Sequence, residues 1–212
     1  MSGRDYQAVV FDVGGVLIEW DPRRLYRALL PDDAAVEHFL ATVCTPQWNH
    51  EQDRGRPTAE AVAELTTEFP EHAELIAAYY DRWDEMLGDA IGGTVAILRD
   101  LRRAGVRVLA LTNFSTEKWP LAVERFPFLG EFDGVVVSGA ERLAKPDPAI
   151  FDVLCARYAV APARSVYVDD LTHNAEAAAA YGFDALLFTG AAALRTELTD
   201  RGLLAVAAHS AT

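Results

Sequence analysis

The sequence predicts an α/β fold, a doubly wound, parallel, Rossmann-like sheet that carries an α-helical insertion after its first strand. Three observations predict this fold. Short apolar runs recur along the chain, and most end at polar residues, the first being Val9-Val10-Phe11-Asp12. Stretches with helical spacing of apolar residues separate these runs, which is typical of parallel strands joined by helices. Residues 18–90, which follow the first run, show helical spacing alone.

The first predicted strand covers residues 7–12 and ends at Asp12, with Gly14 and Gly15 close behind it. A buried parallel strand is a short continuous apolar run bounded by turn signals. Ligands of open α/β sheets bind beyond the carboxyl ends of the strands, so Asp12 is a candidate site residue. The glycines let the backbone turn sharply and approach whatever the acid contacts.

We expect residues 18–90, the helical insertion, to form an all-helical cap domain, while residues 1–17 and 91–212 form the core domain. Asp21-Pro22 predicts the first helix, because aspartate favours the N-cap and proline the first helical position. The polar stretch 48–55 is expected to be a loop whose His50 and Arg54 contact substrate. The apolar residues that mark four helices are Leu25, Leu29, Leu30; Val36, Phe39, Leu40, Val43; Ala61, Val62, Leu65; and Leu75, Ile76, Tyr79, Tyr80, Trp83, Leu87.

The alternation of helix and strand resumes after the insertion. An amphipathic stretch that begins near Val95 is ended by Gly105, as is common at helix ends. The further predicted strands are 106–111, 134–137, 165–168 and 184–188, and the helices between and after them lie near 117–126, 150–158, 174–181 and beyond Gly190.

Polar residues follow several of these strands. Thr112 and Asn113 follow the second core strand, Lys145 lies in the loop after the third, and Asp169 with Asp170 follows the fourth. Each has an ordinary explanation as a turn residue, a helix cap or a surface lysine. Because the carboxyl ends of parallel strands share one edge of the sheet, we expect all of them to gather around Asp12.

The chemistry of this set is coherent. Asp12 and Asp170 offer hard oxygen donors that suit Mg²⁺, and a carboxylate also serves as a nucleophile. Thr112 and Asn113 are expected to donate hydrogen bonds to phosphoryl oxygens. Lys145 supplies a point charge beside a transferring phosphate. The backbone N–H groups of residues 13–15, including Gly14 and Gly15, are expected to form an anion-binding nest for the substrate.

Composition excludes several classes of protein. The formal net charge of −13 argues against a nucleic-acid partner, although a metal reverses the field locally for a small anionic substrate. Cys44 and Cys155 lack the spacing of zinc ligands, which predicts free thiols. The first apolar run is too short for a signal peptide and no stretch approaches a membrane span, so we expect a cytoplasmic monomer or homodimer without a membrane partner.

Four motifs carry a family resemblance. They are, in order, Phe-Asp-Val-Gly-Gly-Val-Leu, Leu-Thr-Asn, Lys-Pro-Asp-Pro and Val-Asp-Asp-Leu-Thr-His-Asn. They resemble the motifs of the haloacid dehalogenase (HAD) superfamily over nearly the whole chain, and residues 18–90 are similar to its small helical cap. The resemblance implies that Asp12 is the nucleophile, Thr112 the phosphate-binding hydroxyl and Lys145 the charge-stabilising lysine. It also implies that Asp12, Asp169 and Asp170 hold Mg²⁺.

One position departs from the family pattern. HAD phosphatases usually carry a second aspartate two residues after the nucleophile, which protonates the leaving group, and Gly14 stands there instead. Its backbone carbonyl is expected to remain a metal ligand. The loop is similar to that of a bacterial branch that includes glucose-1-phosphatases, whose hemiacetal leaving group is acidic. We therefore expect a steep dependence of rate on leaving-group acidity, unless His50 or Asp53 supplies the proton.

The function favoured by the resemblance is a Mg²⁺-dependent phosphatase that acts on a small phosphorylated metabolite, such as a sugar phosphate, through an aspartyl-phosphate. One alternative is a 2-haloacid dehalogenase, in which Asp12 forms a carboxylic ester without a metal. Such enzymes resemble this chain at Asn113 and Lys145, but the pair Asp169-Asp170 suits a cation. The other alternative is a binding or regulatory protein that lost efficient turnover at Gly14.

Overall fold

The computed structural model describes residues 5–205. Its centre is a five-stranded parallel sheet of order β5-β4-β1-β6-β7, and β2 and β3 form a separate antiparallel ribbon. The predicted α/β class is thereby confirmed. The outer ends of the predicted core domain, residues 1–4 and 206–212, lie outside the described range. The strands are β1 Ala8–Phe11, β2 Ile18–Trp20, β3 Leu87–Ala90, β4 Arg107–Thr112, β5 Gly134–Val137, β6 Ser165–Asp169 and β7 Asp184–Leu187.

Helices connect the strands and fill the insertion. Within residues 5–205, no helix combines the length and apolar character that a membrane span requires. Cys44 and Cys155 are free thiols, as expected. The helices are α1 Arg23–Tyr26, α2 Asp33–Thr42, α3 Pro46–Asp53, α4 Thr58–Glu68, α5 Ala73–Asp81, α6 Gly92–Arg103, α7 Trp119–Arg125, α8 Ser138–Glu141, α9 Pro148–Tyr158, α10 Thr172–Tyr181 and α11 Ala191–Asp200.

Strand β1 is buried on both faces, which explains its unbroken apolar run. Val9 and Phe11 belong to one core cluster, together with residues of α6, α7 and α11. Ala8 and Val10 belong to a second cluster with residues of α9 and α10 on the other face. The two-sided cover fixes β1 in the middle of the sheet, so Asp12 emerges at the centre of its carboxyl edge.

The helical insertion is not free of strands, contrary to the expectation from sequence. β2 and β3 both lie inside residues 18–90, with Ile18 opposite Ala90 and Trp20 opposite Leu87. Leu87 therefore belongs to a strand rather than to the fourth helix, which ends at Asp81. Strands of three and four residues are too short to show a period, and their pairing joins segments far apart in sequence. The insertion thus leaves and re-enters the core through this ribbon.

The stretch 48–55 forms most of α3 rather than a loop. The Thr45 hydroxyl accepts the Trp48 N–H at 3.1 Å, and Pro46 occupies the first turn, both of which favour helix initiation. Gln52 is the one residue of α3 that is buried, and it is polar. The sequence of this helix therefore shows no helical repeat of apolar residues.

The first predicted helix is shorter than expected. α1 ends at Tyr26, although Leu29 and Leu30 continue its apolar spacing. Pro31 follows Leu30 directly, and a proline disfavours helical backbone at the residue before it.

Candidate active site

Asp12 stands directly after β1, and its N–H continues the sheet by donating to the Val168 carbonyl at 2.8 Å. Its side chain is largely buried, and each oxygen has a donor: Oδ1 accepts the Val13 N–H at 2.7 Å, and Oδ2 lies 2.9 Å from Lys145 Nζ. Burial raises the pKa of Asp12 to about 7, opposed by Lys145 and assisted by the neighbouring Asp169. The carboxylate is thus held in one orientation in a place that disfavours its charge.

Lys145 is the positive charge of the site and is fully buried. Its Nζ bridges two acids, lying 2.9 Å from Asp12 Oδ2 and 2.8 Å from Asp169 Oδ2. Burial by itself lowers the pKa of a lysine, but the two carboxylates outweigh it and raise the pKa of Lys145. This lysine therefore stays charged and joins the ends of β1 and β6.

Asn113 holds the backbone of Lys145 in place. Its Nδ2 donates to the Lys145 carbonyl at 3.0 Å, and its Oδ1 accepts the Lys145 N–H at 2.8 Å. Asn113 also lines the cleft, and these two bonds use one of the two protons on Nδ2, so its expected contact with phosphoryl oxygens stays a prediction.

Asp169 is saturated with hydrogen-bond donors. Its Oδ2 accepts from Lys145 Nζ and from the Tyr167 hydroxyl at 3.0 Å. Its Oδ1 accepts the Leu171 N–H at 3.0 Å and Asn174 Nδ2 at 3.1 Å. Four donors fix this carboxylate as a support for Lys145.

Asp170 packs against the backbone of Gly15. A Cβ placed on Gly15 would lie 2.2 Å from Asp170 Oδ2, so a side chain has no space here. The φ of Gly15 is +72°, a backbone conformation that also favours glycine. Burial, assisted by Asp169, raises the pKa of Asp170. The glycine thus opens the space in which Asp170 reaches Asp12.

Two of the three N–H groups of the expected anion nest at residues 13–15 already bond within the loop. The Val13 N–H donates to Asp12 Oδ1, and the Gly15 N–H donates to the Ile18 carbonyl at 2.9 Å. Both N–H groups are used in hydrogen bonds within the loop, because the turn after β1 closes on the start of β2. Gly15 contributes space for Asp170 rather than a donor for substrate.

The residues present fit a divalent cation. Ligand atoms of Asp12, Asp169 and Asp170 lie within 4.8 Å of one another, and one lysine against three carboxylates leaves two negative charges uncompensated. Asn174 Oδ1, at the same place, is buried without a hydrogen-bond partner among residues 5–205, and amide and carboxylate oxygens suit Mg²⁺ and its bound water.

The three remaining predicted site residues, His50, Thr112 and Arg54, differ in whether they line the cleft. His50 lines the cleft that contains Asp12, Lys145 and Asp170, and burial lowers its pKa. Thr112 is 1% exposed at the end of β4. Neither it nor Arg54 lines the cleft or the cavity beside it.

A second cavity, of about 70 Å³, lies beside the cleft under the helical insertion. We call it the aromatic cavity. Gly14, Trp20, Asp53 and Asn113 line both spaces, so the two are contiguous. Sequence reasoning missed this cavity because its walls come from separate segments. The apolar wall residues are Ile18, Trp20, Tyr80, Trp83, Leu87 and Phe114.

The end of α3 is fastened to the core. The Ser138 hydroxyl donates to the Asp53 carbonyl and accepts the Phe114 N–H at 2.8 Å. Gly55, with φ +93°, approaches Gly139 so closely that a Cβ would lie 2.6 Å from its carbonyl oxygen. These contacts hold Asp53 over the site although it belongs to the insertion.

Comparison with known proteins identifies relatives along most of the chain. A family model described as haloacid dehalogenase-like hydrolase matches residues 6–182. The sesquiterpene phosphatase astK of Aspergillus oryzae is 27% identical over 194 residues, which cover 91% of this chain and 95% of that protein. The acyl-CoA dehydrogenase family member 10 of Mus musculus is 27% identical over 197 residues, which cover 85% of this chain but 18% of that protein.

The fold is also found among solved structures. A HAD family enzyme from Bacteroides thetaiotaomicron, in its magnesium complex, matches with a TM-score of 0.69 at 19% identity, covering 88% of this chain and 94% of that one. At this identity the match shows a shared fold.

Proposed function

Because this chain belongs to the haloacid dehalogenase-like hydrolases, we propose that it is a Mg²⁺-dependent phosphomonoesterase that acts on a small phosphorylated metabolite through an aspartyl-phosphate on Asp12. The proposal is supported by the similarity to the sesquiterpene phosphatase, which is aligned over 95% of its length. The helical insertion is proposed to be the cap that covers the site.

The observation that carries the proposal is the charge balance of the site. Asp12, Asp169 and Asp170 converge with Lys145 as their single buried partner. A 2-haloacid would add another carboxylate to this surplus of negative charge, and its displacement needs no cation. A phosphate ester that enters together with Mg²⁺ balances the charge instead, which favours phosphatase over dehalogenase.

We propose that Asp12 and Asp170, with the Gly14 carbonyl, hold the cation. The family resemblance implies that Asp169 is also a ligand, but we propose that it positions Lys145 instead, because four donors already occupy its oxygens. When bound, Mg²⁺ supplies positive charge to the phosphoryl oxygens. Asn174 Oδ1, buried and without a partner in the described chain, is proposed to accept a hydrogen bond from water at this site.

In the proposed reaction, an oxygen of Asp12 attacks phosphorus while the bond to the leaving oxygen breaks. The Lys145 ammonium, 2.9 Å from Asp12 Oδ2, stabilises the charge on the transferring phosphoryl group. Water then attacks the phosphorus of the aspartyl-phosphate and releases inorganic phosphate. Thr112 is proposed to contact a phosphoryl oxygen, which requires its buried hydroxyl to become accessible when substrate enters.

The deciding experiment measures two products in parallel. The protein is incubated with p-nitrophenyl phosphate and a panel of phosphorylated metabolites, and separately with 2-haloacids, each with Mg²⁺ or with EDTA. We expect Mg²⁺-dependent phosphate release and no halide release. Halide release that persists in EDTA would establish the dehalogenase instead. Absence of both, with retained binding of phosphate esters, would establish a binding protein.

A further inference from the structure

We propose that the aromatic cavity binds the leaving group and selects phosphate esters of compact apolar alcohols over those of sugars. This inference rests on the proposed phosphatase function and departs from the sugar phosphate expected from the sequence. It is carried by the position, the chemistry and the size of the cavity.

The position of the aromatic cavity relative to Asp12 indicates that it holds the leaving group. In phosphoryl transfer the attacking and leaving oxygens lie roughly in line across phosphorus. With Asp12 as the nucleophile, the ester oxygen points away from β1 and toward the insertion. Gly14, Asp53 and Asn113 line both the cleft and the aromatic cavity. The shared boundary is therefore where the scissile bond would lie, and the alcohol portion would occupy the aromatic cavity.

The side chains that line the aromatic cavity favour an apolar occupant. Trp20 and Trp83 pack 5.6 Å apart, and Phe114 meets Trp83 edge to face at 5.4 Å. The amides that line the cavity already bond the protein: Asn49 accepts the Tyr80 hydroxyl and donates to Asp53 at 3.2 Å. A sugar would bring several hydroxyls against these walls, and a hydroxyl that loses water without gaining a partner weakens binding.

Size limits the occupant to a compact group. The cavity has a volume of about 70 Å³, well below the ~300–1,000 Å³ of typical ligand pockets, so it has room for no more than one small ring or a short branched chain. The ribbon of β2 and β3 closes the cavity on one side, since Ile18 and Leu87 are almost fully buried. A long extended chain would have no room.

The test compares two esters of primary alcohols, cyclohexylmethyl phosphate and glucose 6-phosphate, so that leaving-group acidity is similar. We expect kcat/KM to be at least ~10-fold higher for the apolar ester. Trp20→Ala should reduce this ratio several-fold, whereas the control Leu121→Ala, at an exposed position on α7, should preserve it. An equal or reversed preference in the wild type, or a ratio unaffected by Trp20→Ala, would overturn the proposal.

A binding measurement separates this proposal from the phosphatase assignment. Calorimetry with cyclohexylmethanol should show saturable binding that glucose does not show and that Trp20→Ala weakens. Binding without turnover of any phosphate ester would remove the phosphatase assignment and leave the cavity specificity standing. Phosphatase activity without this binding would do the reverse.

A second observation carries a separate inference: the structure assigns Asp53 as the proton donor to the leaving group, in place of the side chain that Gly14 lacks. Asp53 is the last residue of α3 and lines both the cleft and the aromatic cavity. Its backbone is fixed by Ser138, and its Oδ2 accepts Asn49 Nδ2 at 3.2 Å. The carboxyl is therefore held at the boundary where the ester oxygen would lie.

The surroundings of Asp53 suit a carboxylic acid that carries a proton. Burial, assisted by Asp12, raises the pKa of Asp53 to about 7, with Lys145 acting in the opposite direction. The other titratable groups near it include the phenols of Tyr79 and Tyr80, which stay neutral because burial raises the pKa of both. His50 and Asp170 line the same cleft. An acid of this kind is matched to proton transfer near neutral pH.

The proton balance closes. As Asp12 forms its bond to phosphorus, the electron pair of the breaking bond goes to the ester oxygen, which takes the proton of Asp53 and leaves as the alcohol. The Asp53 carboxylate then accepts a proton from the water that attacks the aspartyl-phosphate. Phosphate is released, and both carboxyl groups return to their starting states.

The test uses Asp53→Asn, with Glu51→Gln on the same helix as the matched control. For cyclohexylmethyl phosphate we expect kcat/KM to fall by ~10²-fold, since general acid catalysis is typically worth ~10²–10⁴-fold. For p-nitrophenyl phosphate, whose leaving group needs no proton, the fall should be under about threefold. The decline of kcat with the alkyl ester above about pH 7 should disappear in the variant.

The two esters also separate the possible failures. Equal losses for both would mean that Asp53 is structural, and an unchanged alkyl rate would mean that another group donates the proton; either outcome overturns the assignment while the phosphatase activity stands. A wild-type protein that hydrolyses neither ester would overturn the phosphatase function itself, and this assignment with it.

Discussion

Gly15→Ala tests whether the space left by a missing side chain is what places Asp170 at the proposed metal site. The structure offers a matched control in Gly202. The φ of Gly15 is +72° and that of Gly202 is +73°, but a Cβ on Gly202 would meet nothing within 4 Å. The backbone effect of alanine should be the same at both positions. Only the contact with Asp170 differs.

The magnitudes follow from this geometry. Left-handed backbone costs an alanine ~1–2 kcal/mol, and the stiffer unfolded chain offsets ~0.4–1 kcal/mol of it. Both variants should thus lose about 1 kcal/mol of unfolding free energy. In Gly15→Ala, Asp170 Oδ2 must also retreat by about 1.2 Å, from 2.2 Å to ordinary contact at 3.4 Å. Mg²⁺ tolerates little displacement of a ligand, so its affinity should fall by ~10- to 100-fold or more.

The assay combines urea unfolding without metal and calorimetric titration of Mg²⁺. We expect similar losses of stability in the two variants, with weakened Mg²⁺ binding in Gly15→Ala and wild-type binding in Gly202→Ala. If Gly15→Ala binds Mg²⁺ as the wild type does, Asp170 is not the ligand that the structure indicates. If Gly202→Ala also weakens binding, backbone strain rather than contact is the cause.

Three further predictions concern single carboxylates. Asp12→Asn should abolish phosphate release with the circular dichroism spectrum unchanged, and retained activity, with deamidation excluded by mass spectrometry, would remove the nucleophile assignment. Asp170→Ala should weaken Mg²⁺ binding, measured by calorimetry, more than Asp169→Ala does. Asp169→Ala should lower the melting temperature more, because four hydrogen bonds end on its carboxylate. If Asp169→Ala weakens Mg²⁺ binding more and Asp170→Ala lowers the melting temperature more, the two roles must be exchanged. Hydrogen bonds from the hydroxyl and N–H of Thr58 lower the pKa of Glu117 from its ordinary value, so its contribution to stability is complete above the unfolded-state pKa and is lost as the pH falls through the lowered value. Glu117→Gln should therefore unfold at lower urea than the wild type at pH 7, and the difference should shrink as the pH is lowered into the acid range. A difference that stays constant down to the acid limit of folding would contradict the reasoning.

The carboxyl edge of the sheet could be predicted from sequence because strand ends are local signals. Asp12 and Asp169-Asp170 each follow an apolar run, and the parallel arrangement then brings the runs together without further information. Lys145 could be predicted as a site residue because it lies in the loop after β5. The pattern did not indicate that its ammonium is shared by Asp12 and Asp169, because that depends on the depth at which the loop crosses the sheet edge.

The features that could not be predicted depend on contacts between distant segments. Asn113 bonds the backbone of a residue 32 positions away, so its motif indicated a polar site residue but not its partner. The aromatic cavity combines Trp20 with Trp83 and Phe114, which lie far apart in sequence, and the pattern indicated only that Trp83 belongs to a helix. The helix α3 was missed because its N-cap, Thr45, and not an apolar period, initiates it.

The ribbon of β2 and β3 has a consequence for how this protein can change over evolutionary time. Ile18 lies opposite Ala90, and the Ile91 N–H donates to the Leu17 carbonyl at 2.8 Å, so the two chain ends of the insertion are held side by side. The chain entropy of an inserted segment grows only with the logarithm of its length, by ~0.6 kcal/mol for each doubling. Duplications, deletions or exchange of the helices between Trp20 and Leu87 therefore leave the sheet and its acidic edge intact. Under the proposed function, such an exchange replaces the aromatic cavity and the proton donor Asp53 together, whereas Asp12, Lys145 and Asp170 stay with the sheet.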